Sequence, residues 1–371
     1  MRIARIRHLF YPDLPRGYFY ELSAQQVERG HDVDVISWRR NGACSEERVA
    51  EGFTIHRLNG LNLNFGGLIQ EYPYLPELPS KLEELRPDVV HGESHLFLPT
   101  VQAVRKAKKL GLPCVVTVHG VFADRGGVVN LAQKAYLHTL GLEVLRNADR
   151  VICLTQKDAD EIGRLGCPLE KIRLVPNAVD TELFKPCNER ESNLVVWVGR
   201  FVHEKGVEYL IEAARIVADT VKDVRFLLIG YGPLKGEIIK LVHERGLEKI
   251  VRIVGPLSRN EIAEVLGRAT VFAFPSLKEG LPLAVLEAMA CGVPVVGSDV
   301  SGVNDLVEDC VTGLLVPPLD SMPLAKSVLS LLLDAGLRNK ISVNARRAII
   351  EEYGWDKVMK KLDAIYHAAN Q

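Results

Sequence analysis

Residues 194–218 read LVVWVGRFVHEKGVEYLIEAARIVA. The run from Leu194 to Val198 is apolar, too short for a helix and closed by Gly199, which makes it a strand. A turn follows to Gly206, and a helix is expected from about Val207 to Ala218. The same strand–turn–helix alternation repeats on both sides. Upstream, strand-like runs fall at Ile3–Phe10, Val33–Ser37, Val89–His91, Cys114–Val118, Val151–Leu154 and Arg173–Pro176, with helical stretches near Phe19–Arg29, Leu98–Leu110, Leu131–Asn147 and Lys157–Leu165. Downstream, strands are expected at Val224–Ile229, Val251–Val254, Val271–Phe274 and Pro294–Val296. Three helical segments close the chain, at about 324–334, 337–350 and 355–369. This alternation predicts the α/β class, with parallel, doubly wound sheets flanked by helices.

The alternation breaks once, in the polar connector 180–193 around Pro186. A chain of 371 residues holds two domains at roughly 150 residues each or somewhat more, so we place the boundary inside the connector: 1–184, then 185–354. Sheets of this kind bind ligands beyond the carboxyl ends of their strands, where strand order reverses. Two such domains facing each other would put the site in a cleft. Lys plus Arg (46) nearly cancels Asp plus Glu (47), so charge predicts no nucleic-acid partner. No apolar run reaches the roughly 18–20 residues that span a bilayer, and the arginine-bearing start lacks a signal-peptide core. A cytoplasmic protein is expected. The seven cysteines are scattered singly and the histidines lack ligand spacing, so neither a metal site nor a disulfide framework is expected.

Dinucleotide and P-loop chemistry are disfavoured, because Gly230-Tyr231-Gly232-Pro233 has no third glycine and no Walker pattern occurs. Three other stretches point to ligand chemistry. Arg200 and Lys205 flank the start of the helix after strand 194–198, where cations oppose the helix dipole unless an anion sits there. The plainer alternative is pairing with Glu204 or Glu208. Glu279 and Glu287 lie eight apart in Pro275–Gly292; on one helix they would stand about 12 Å apart, beyond the roughly 5–5.5 Å of a retaining glycosidase pair. They read as two separate ligand contacts, or else as a helix-start residue and a paired carboxylate. His119 follows strand 114–118 directly, at the end where site residues gather, although a lone histidine is commonly structural.

Together these motifs resemble the retaining glycosyltransferases of family 4, which have the GT-B fold of two facing Rossmann-like domains. The resemblance covers most of the chain. It is carried by Phe10-Tyr11-Pro12, Asp88-Val89-Val90-His91, Thr117-Val118-His119-Gly120, Val175-Pro176-Asn177-Ala178-Val179-Asp180 with Phe184, Gly199-Arg200, Lys205-Gly206, Gly230-Tyr231-Gly232-Pro233 and Val254-Gly255-Pro256-Leu257. Its strongest element is Glu279 to Glu287, the family's Glu-x7-Glu motif, running on to Gly292.

The resemblance implies transfer of a hexose-type sugar from a UDP- or GDP-sugar to a hydroxyl acceptor, with no metal or other cofactor. Arg200 and Lys205 would hold the diphosphate, helped by the backbone at Leu283 and Ala284. Glu287 would meet the ribose, Glu279 the transferred sugar, and the base would lie near Val254–Leu257. His119 would stand near the anomeric carbon. Gly17 and Gly230 complete the implied donor contacts, and the helix 355–371 would pack back on the first domain. The implied mechanism is front-face attack through an oxocarbenium-like state. Three departures stand out. Arg16-Gly17 replaces a Gly-Gly pair, Leu281-Pro282 replaces Phe-Gly, and Arg5 and Arg7 fall in a strand expected to be buried, where charges need partners.

A nucleotide-sugar epimerase or hydrolase of the same fold, or a non-catalytic nucleotide-sugar binder, are the competing readings. The acceptor, whether a sugar, a small molecule or a lipid-linked compound, is expected on the first domain. The loops 16–20, 59–74 and 121–129 are the candidates, with the apolar Leu61–Leu68 among them. Arg105, Lys106, Lys108 and Lys109 form a basic helix face that would suit anionic lipid headgroups or simply face solvent. Domain closure about 180–193 and the last helix is a further expectation.

Overall fold

The computed structural model describes residues 1–11, 17–40, 42–63, 72–121, 127–187 and 189–370. Arg16, residues 64–68 of the apolar segment and 122–126 of the loop after His119 lie outside the described residues. The chain forms two compact units, Met1–Val175 with Met359–Gln371, and Pro176–Val358.

Among the described residues, unit 1 holds ten strands: β1 (Arg2–Ile6), β2 (Asp32–Trp38), β3 (Glu46–Arg48), β4 (Thr54–Leu58), β5 (Leu61–Asn62), β6 (Pro73–Tyr74), β7 (Val89–Glu93), β8 (Cys114–Val118), β9 (Arg150–Cys153) and β10 (Ile172–Leu174). Eight form one sheet in the order β10-β9-β8-β7-β1-β2-β4-β3, parallel apart from β3. Strand order reverses at β1, which pairs with β2 on one side and β7 on the other. The helices are α1 (Tyr18–Glu28), α2 (Leu78–Leu85), α3 (Leu98–Leu110), α4 (Gly127–Tyr136), α5 (Leu142–Asn147) and α6 (Gln156–Arg164). Central strands read as unbroken apolar runs because they are buried throughout, as in β8.

Unit 2 carries β11 (Leu194–Arg200), β12 (Arg225–Tyr231), β13 (Val251–Val254), β14 (Val271–Phe274), β15 (Val295–Ser298) and β16 (Gly313–Val316). They make an all-parallel sheet in the order β13-β12-β11-β14-β15-β16. Its helices are α7 (Val207–Thr220), α8 (Lys235–Glu244), α9 (Arg259–Arg268), α10 (Leu283–Ala290), α11 (Ser321–Leu333) and α12 (Ala335–Glu352). The last helix, α13 (Trp355–Ala369), begins in unit 2, and from Met359 onward it belongs with unit 1. There Tyr366 accepts a hydrogen bond from Gln26 at 2.9 Å, and Asp363 pairs with Arg29 at 2.9 Å.

Four differences from the sequence-based expectation have physical causes. The first strand ends at Ile6 rather than Phe10. The stretch 131–147 is not one helix, because a π turn at Leu137–Gly141 interrupts it. β4 was masked by His56 and Arg57, which are buried but partnered, His56 with Asp34 at 2.7 Å and Arg57 with Glu47 at 2.6 Å. Finally, the division of the chain falls at Val175/Pro176, ahead of the connector. Arg346 on α12 donates to the carbonyls of Thr181 at 3.1 Å and Phe184 at 2.7 Å, and Val179 N–H donates to Tyr353 O at 2.9 Å. These bonds tie 179–184 to unit 2.

Candidate active site

In unit 2 strand order reverses between β11 and β14, and both strands deliver charged residues from their carboxyl ends. β11 ends at Arg200, which is exposed and lies opposite Tyr231. It then runs into a 3-10 turn, His203–Lys205. β14 runs into Pro275–Gly280. The two loops touch backbone to backbone. At Gly206 (φ +57°) a Cβ would lie 2.2 Å from the carbonyl oxygen of Pro275, and Leu277 N–H donates to Glu204 O at 2.8 Å. This contact sets Lys205 beside Glu279. The ammonium and the carboxylate form an ion pair, and the Ser276 hydroxyl donates to the same carboxylate oxygen. Lys205 also stands 5.3 Å from the centre of the Phe274 ring, a position favourable for a cation. Neither Glu204 nor Glu208 ion-pairs with Lys205 among the described residues.

Glu279 is not helical, since α10 starts at Leu283 with Pro282 as its N-cap. The 12 Å helical separation from Glu287 therefore does not apply. Asn177 braces this loop by donating from Nδ2 to Leu281 O at 2.9 Å. Leu283 and Ala284 open α10 half-buried, at a helix end that favours anions. Glu287 sits on the same helix, 8% exposed, and its carboxylate lies 3.6 Å from the Arg259 guanidinium at the start of α9. Arg259 was missed by sequence reasoning. A carboxylate inside an apolar helix was the signal that a cation had to be near. Leu257 is half-buried just ahead of the capping box Ser258–Glu261 that starts α9. Gly230 has a steric requirement of its own: a Cβ there would come within 1.8 Å of Gly199 O, so the neighbouring strand alone demands glycine.

In unit 1 the carboxyl ends of β1, β7 and β8 gather a second set. His119 follows β8, is partly exposed, and bonds through Nε2 to Glu93 Oε2 at 2.7 Å. Glu93 ends β7 and is buried, its other oxygen ion-paired with Arg5. Burial alone would raise this carboxyl's pKa. Arg5 above all, with His119, reverses that and holds it well below the usual range. Arg5 also donates to Gln26 at 2.6 Å. The network continues through Gln26 to Tyr366, then to His91 Nδ1 at 2.6 Å, and from His91 Nε2 to Thr117 Oγ1 at 2.7 Å. The buried charge at Arg5 is thus accounted for. Because an ionised Glu93 accepts, His119 carries its proton on Nε2 and turns Nδ1 away from the carboxylate. The Phe19 ring meets His119 edge-on at 5.1 Å. Gly17, the N-cap of α1, lies two residues before Phe19.

Burial holds three histidines of this unit neutral, driving His8 and His91 down to about 3 and His95 to about 4. An unfolded histidine titrates near 6.5. Their contribution to stability is complete above that value and is lost as pH falls toward the folded ones. Unit 1 should therefore lose stability between about pH 6 and pH 4, by up to about 4 kcal/mol per pH unit for three protons. Urea unfolding at stepped pH measures this, and a flat profile would contradict it. Both ring nitrogens of His95 lack partners, so His95→Phe should stabilise the neutral protein by about 1 kcal/mol and cut the acid slope by about a third.

The basic face of α3 is largely neutralised within its own unit. Arg105 pairs with Glu143, Lys106 with Glu83, and Lys108 donates to Asn147. A cavity of about 740 Å³ opens at the amino end of the unit 2 sheet, away from Lys205. Two of its cations, Arg225 and Arg268, already pair with Glu191. Among the described residues no cluster of His, Cys, Asp and Glu is arranged to hold a metal, and no helix is long and apolar enough to cross a membrane.

Comparison with known proteins fits this geometry. Residues 17–183 match the model of Glycosyltransferase Family 4, and 179–348 that of Glycosyl transferases group 1. The UDP-Gal:alpha-D-GlcNAc-diphosphoundecaprenol alpha-1,3-galactosyltransferase of Escherichia coli is 30% identical over 322 residues, 81% of this chain and 80% of that protein. Sucrose-phosphate synthase from Thermosynechococcus elongatus superposes with a TM-score of 0.82 at 22% identity, covering 99% of this chain and 98% of the other. Anabaena HepE in complex with UDP gives 0.79 at 18%, covering 99% and 100%. The fold is GT-B, and the chain is a glycosyltransferase. It belongs to glycosyltransferase family 4, with the group 1 glycosyl transferase domain as its second half.

Proposed function

We propose that this enzyme moves a hexose-type sugar from a UDP- or GDP-sugar to a hydroxyl acceptor with retention at the anomeric carbon. The observation that carries the proposal is the meeting of Lys205 and Glu279 from the two strands at the switch point of unit 2, with Arg200 exposed at the carboxyl end of β11. An arriving diphosphate competes with Glu279 for the Lys205 ammonium. Lys205 and Arg200 then neutralise the charge that grows on the leaving group as the glycosidic bond breaks. Glu279, released, accepts from hydroxyls of the transferred sugar. The amino end of α10 at Leu283 and Ala284 adds partial positive charge. With two cations and a helix end on the diphosphate, no metal is required in this scheme. Glu287, held by Arg259, accepts from the ribose hydroxyls, Leu257 borders the base, and Gly17 and Gly230 keep the donor contacts that the family resemblance assigns to them. His119 keeps the place near the anomeric carbon that the family resemblance assigns to it. The E. coli relative is named for a UDP-sugar, and HepE binds UDP, which supports a nucleotide-sugar donor.

A thermal-shift screen of UDP- and GDP-sugars tests this, followed by acceptor screening with the hit and NMR assignment of the product anomer. An α-linked product from an α-linked donor is expected. Free sugar released at one rate with and without acceptor would make the protein a hydrolase.

A further inference from the structure

At the carboxyl end of the unit 1 sheet the charges do not balance. β1 carries Arg5 and runs out into Arg7 and His8, β7 ends at Glu93, and β8 hands over to His119. Both oxygens of Glu93 are engaged, one by Arg5 and the other by His119. Arg7 is left over. Its guanidinium carbon sits 3.4 Å from the centre of the Phe19 ring. Its Nε is buried with no hydrogen-bond partner, and among the described residues no carboxylate ion-pairs with it.

An aromatic face attracts a cation, but less strongly than an oxyanion gripped by the two-pronged guanidinium does. Dehydrating an arginine with no carboxylate bonded to it is costly, and this one cannot shed its proton to escape. Burial lowers its pKa, the nearby charge of Glu93 opposes this and Arg5 adds to it, so the value falls only to about 10. The surroundings suit an anion. His8, stacked on Phe97 at 3.5 Å, also has a buried and unpartnered Nδ1. Phe19 is the second residue of α1, so Arg7 stands at a positive helix end.

We infer that Arg7 receives an oxyanion carried by the acceptor, a phosphate or a carboxylate, and that the acceptors of this enzyme are anionic hydroxyl compounds. The inference rests on the proposal that unit 1 takes the acceptor. Phe19 orients the guanidinium from below, and the same ring meets His119. The oxyanion is thereby held one aromatic ring away from the histidine assigned to the reacting sugar.

The test uses the full chain and the variants Arg7→Gln and Arg7→Lys. Without ligand, Arg7→Gln should melt no lower than wild type, because it removes an unpaired charge; a structural ion pair would behave in the opposite way. Inorganic phosphate, compared with chloride at equal ionic strength, should raise the melting temperature of Lys205→Ala with Arg200→Ala, in which both diphosphate cations of unit 2 are absent. It should fail to raise that of the same double variant with Arg7→Gln added. Equal shifts in the two would overturn the inference.

Transfer to matched acceptors, glycerol against glycerol 3-phosphate and propane-1,2-diol against lactate, gives the second arm. At least a tenfold preference in kcat/KM for the charged member is expected in wild type. That preference should collapse in Arg7→Gln, with donor KM unchanged, and be kept in part by Arg7→Lys. A rise in donor KM with acceptor preference intact would assign the Arg7 oxyanion to the donor and sink the acceptor role. If no nucleotide-sugar shifts wild type while phosphate still acts through Arg7, the donor proposal fails and the anion site stands.

Discussion

Lys205→Ala should lower kcat/KM for transfer by about 10²–10³-fold and leave the fold standing. The ammonium is partly exposed and its ion-pair partner among the described residues is Glu279, 8% exposed at its side chain. In the variant that carboxylate keeps the Ser276 hydroxyl and gains access to water, so the loss of stability stays modest. The loss of catalysis does not, because the charge on the diphosphate oxygen grows as the sugar leaves, and a positioned cation acts most strongly at that moment. Both kcat and donor affinity should fall. Glu279→Ala should also abolish transfer but for another reason: Lys205 is freed to hold the diphosphate, so donor binding survives while the sugar loses its acceptor of hydroxyl bonds. Circular dichroism checks the fold, and calorimetry with the donor separates the two variants. Undiminished turnover in Lys205→Ala would remove this residue from the diphosphate.

Much of this was legible in the sequence, for a physical reason. A parallel sheet buries both faces, so β8, β11 and β14 announce themselves as short apolar runs, and residues just beyond such runs lie where ligands bind. Arg200, Lys205, Glu279 and His119 were singled out in that way, and each lies just beyond the carboxyl end of a strand or at it. Pairings between distant segments were not legible. Arg5 was visible as a charge in a buried strand, but its partner lies 88 residues on, and only the adjacency of β1 and β7 brings the two together. One clue was available: Glu93 falls two residues beyond the predicted strand Val89–His91, so it had to end near the sheet's carboxyl edge. β4 was not legible as a strand for the same reason, since its buried His56 and Arg57 depend on Asp34 and Glu47 from neighbouring strands. The Lys205–Glu279 pair was hidden because the sequence put Glu279 at a helix start, whereas the helix begins four residues later.

The second large effect falls on Glu93. Glu93→Gln leaves Arg5, 0% exposed, without a counter-charge, and removing one partner of a buried ion pair typically costs about 3–5 kcal/mol. The same energy appears as pH dependence. Glu93 titrates below an unfolded glutamate, so its contribution is present above about pH 4.3 and is lost as pH falls through the folded value. The pair also does something a hydrophobic pair would not. Arg5 keeps Glu93 ionised, and an ionised Glu93 dictates which nitrogen of His119 carries the proton. Arg5→Met with Glu93→Leu separates the two roles. Replacing a buried pair by apolar residues is often neutral, so the double variant should recover about 2 kcal/mol or more relative to Glu93→Gln, with Gln26 retaining Tyr366 as a partner. Its stability returns while His119 stays unheld, and kcat for transfer should remain depressed with donor KM near wild type. Strict additivity of the single substitutions in urea unfolding would mean that Arg5 and Glu93 do not act as a pair. Full recovery of kcat along with stability would show that His119 needs no carboxylate behind it.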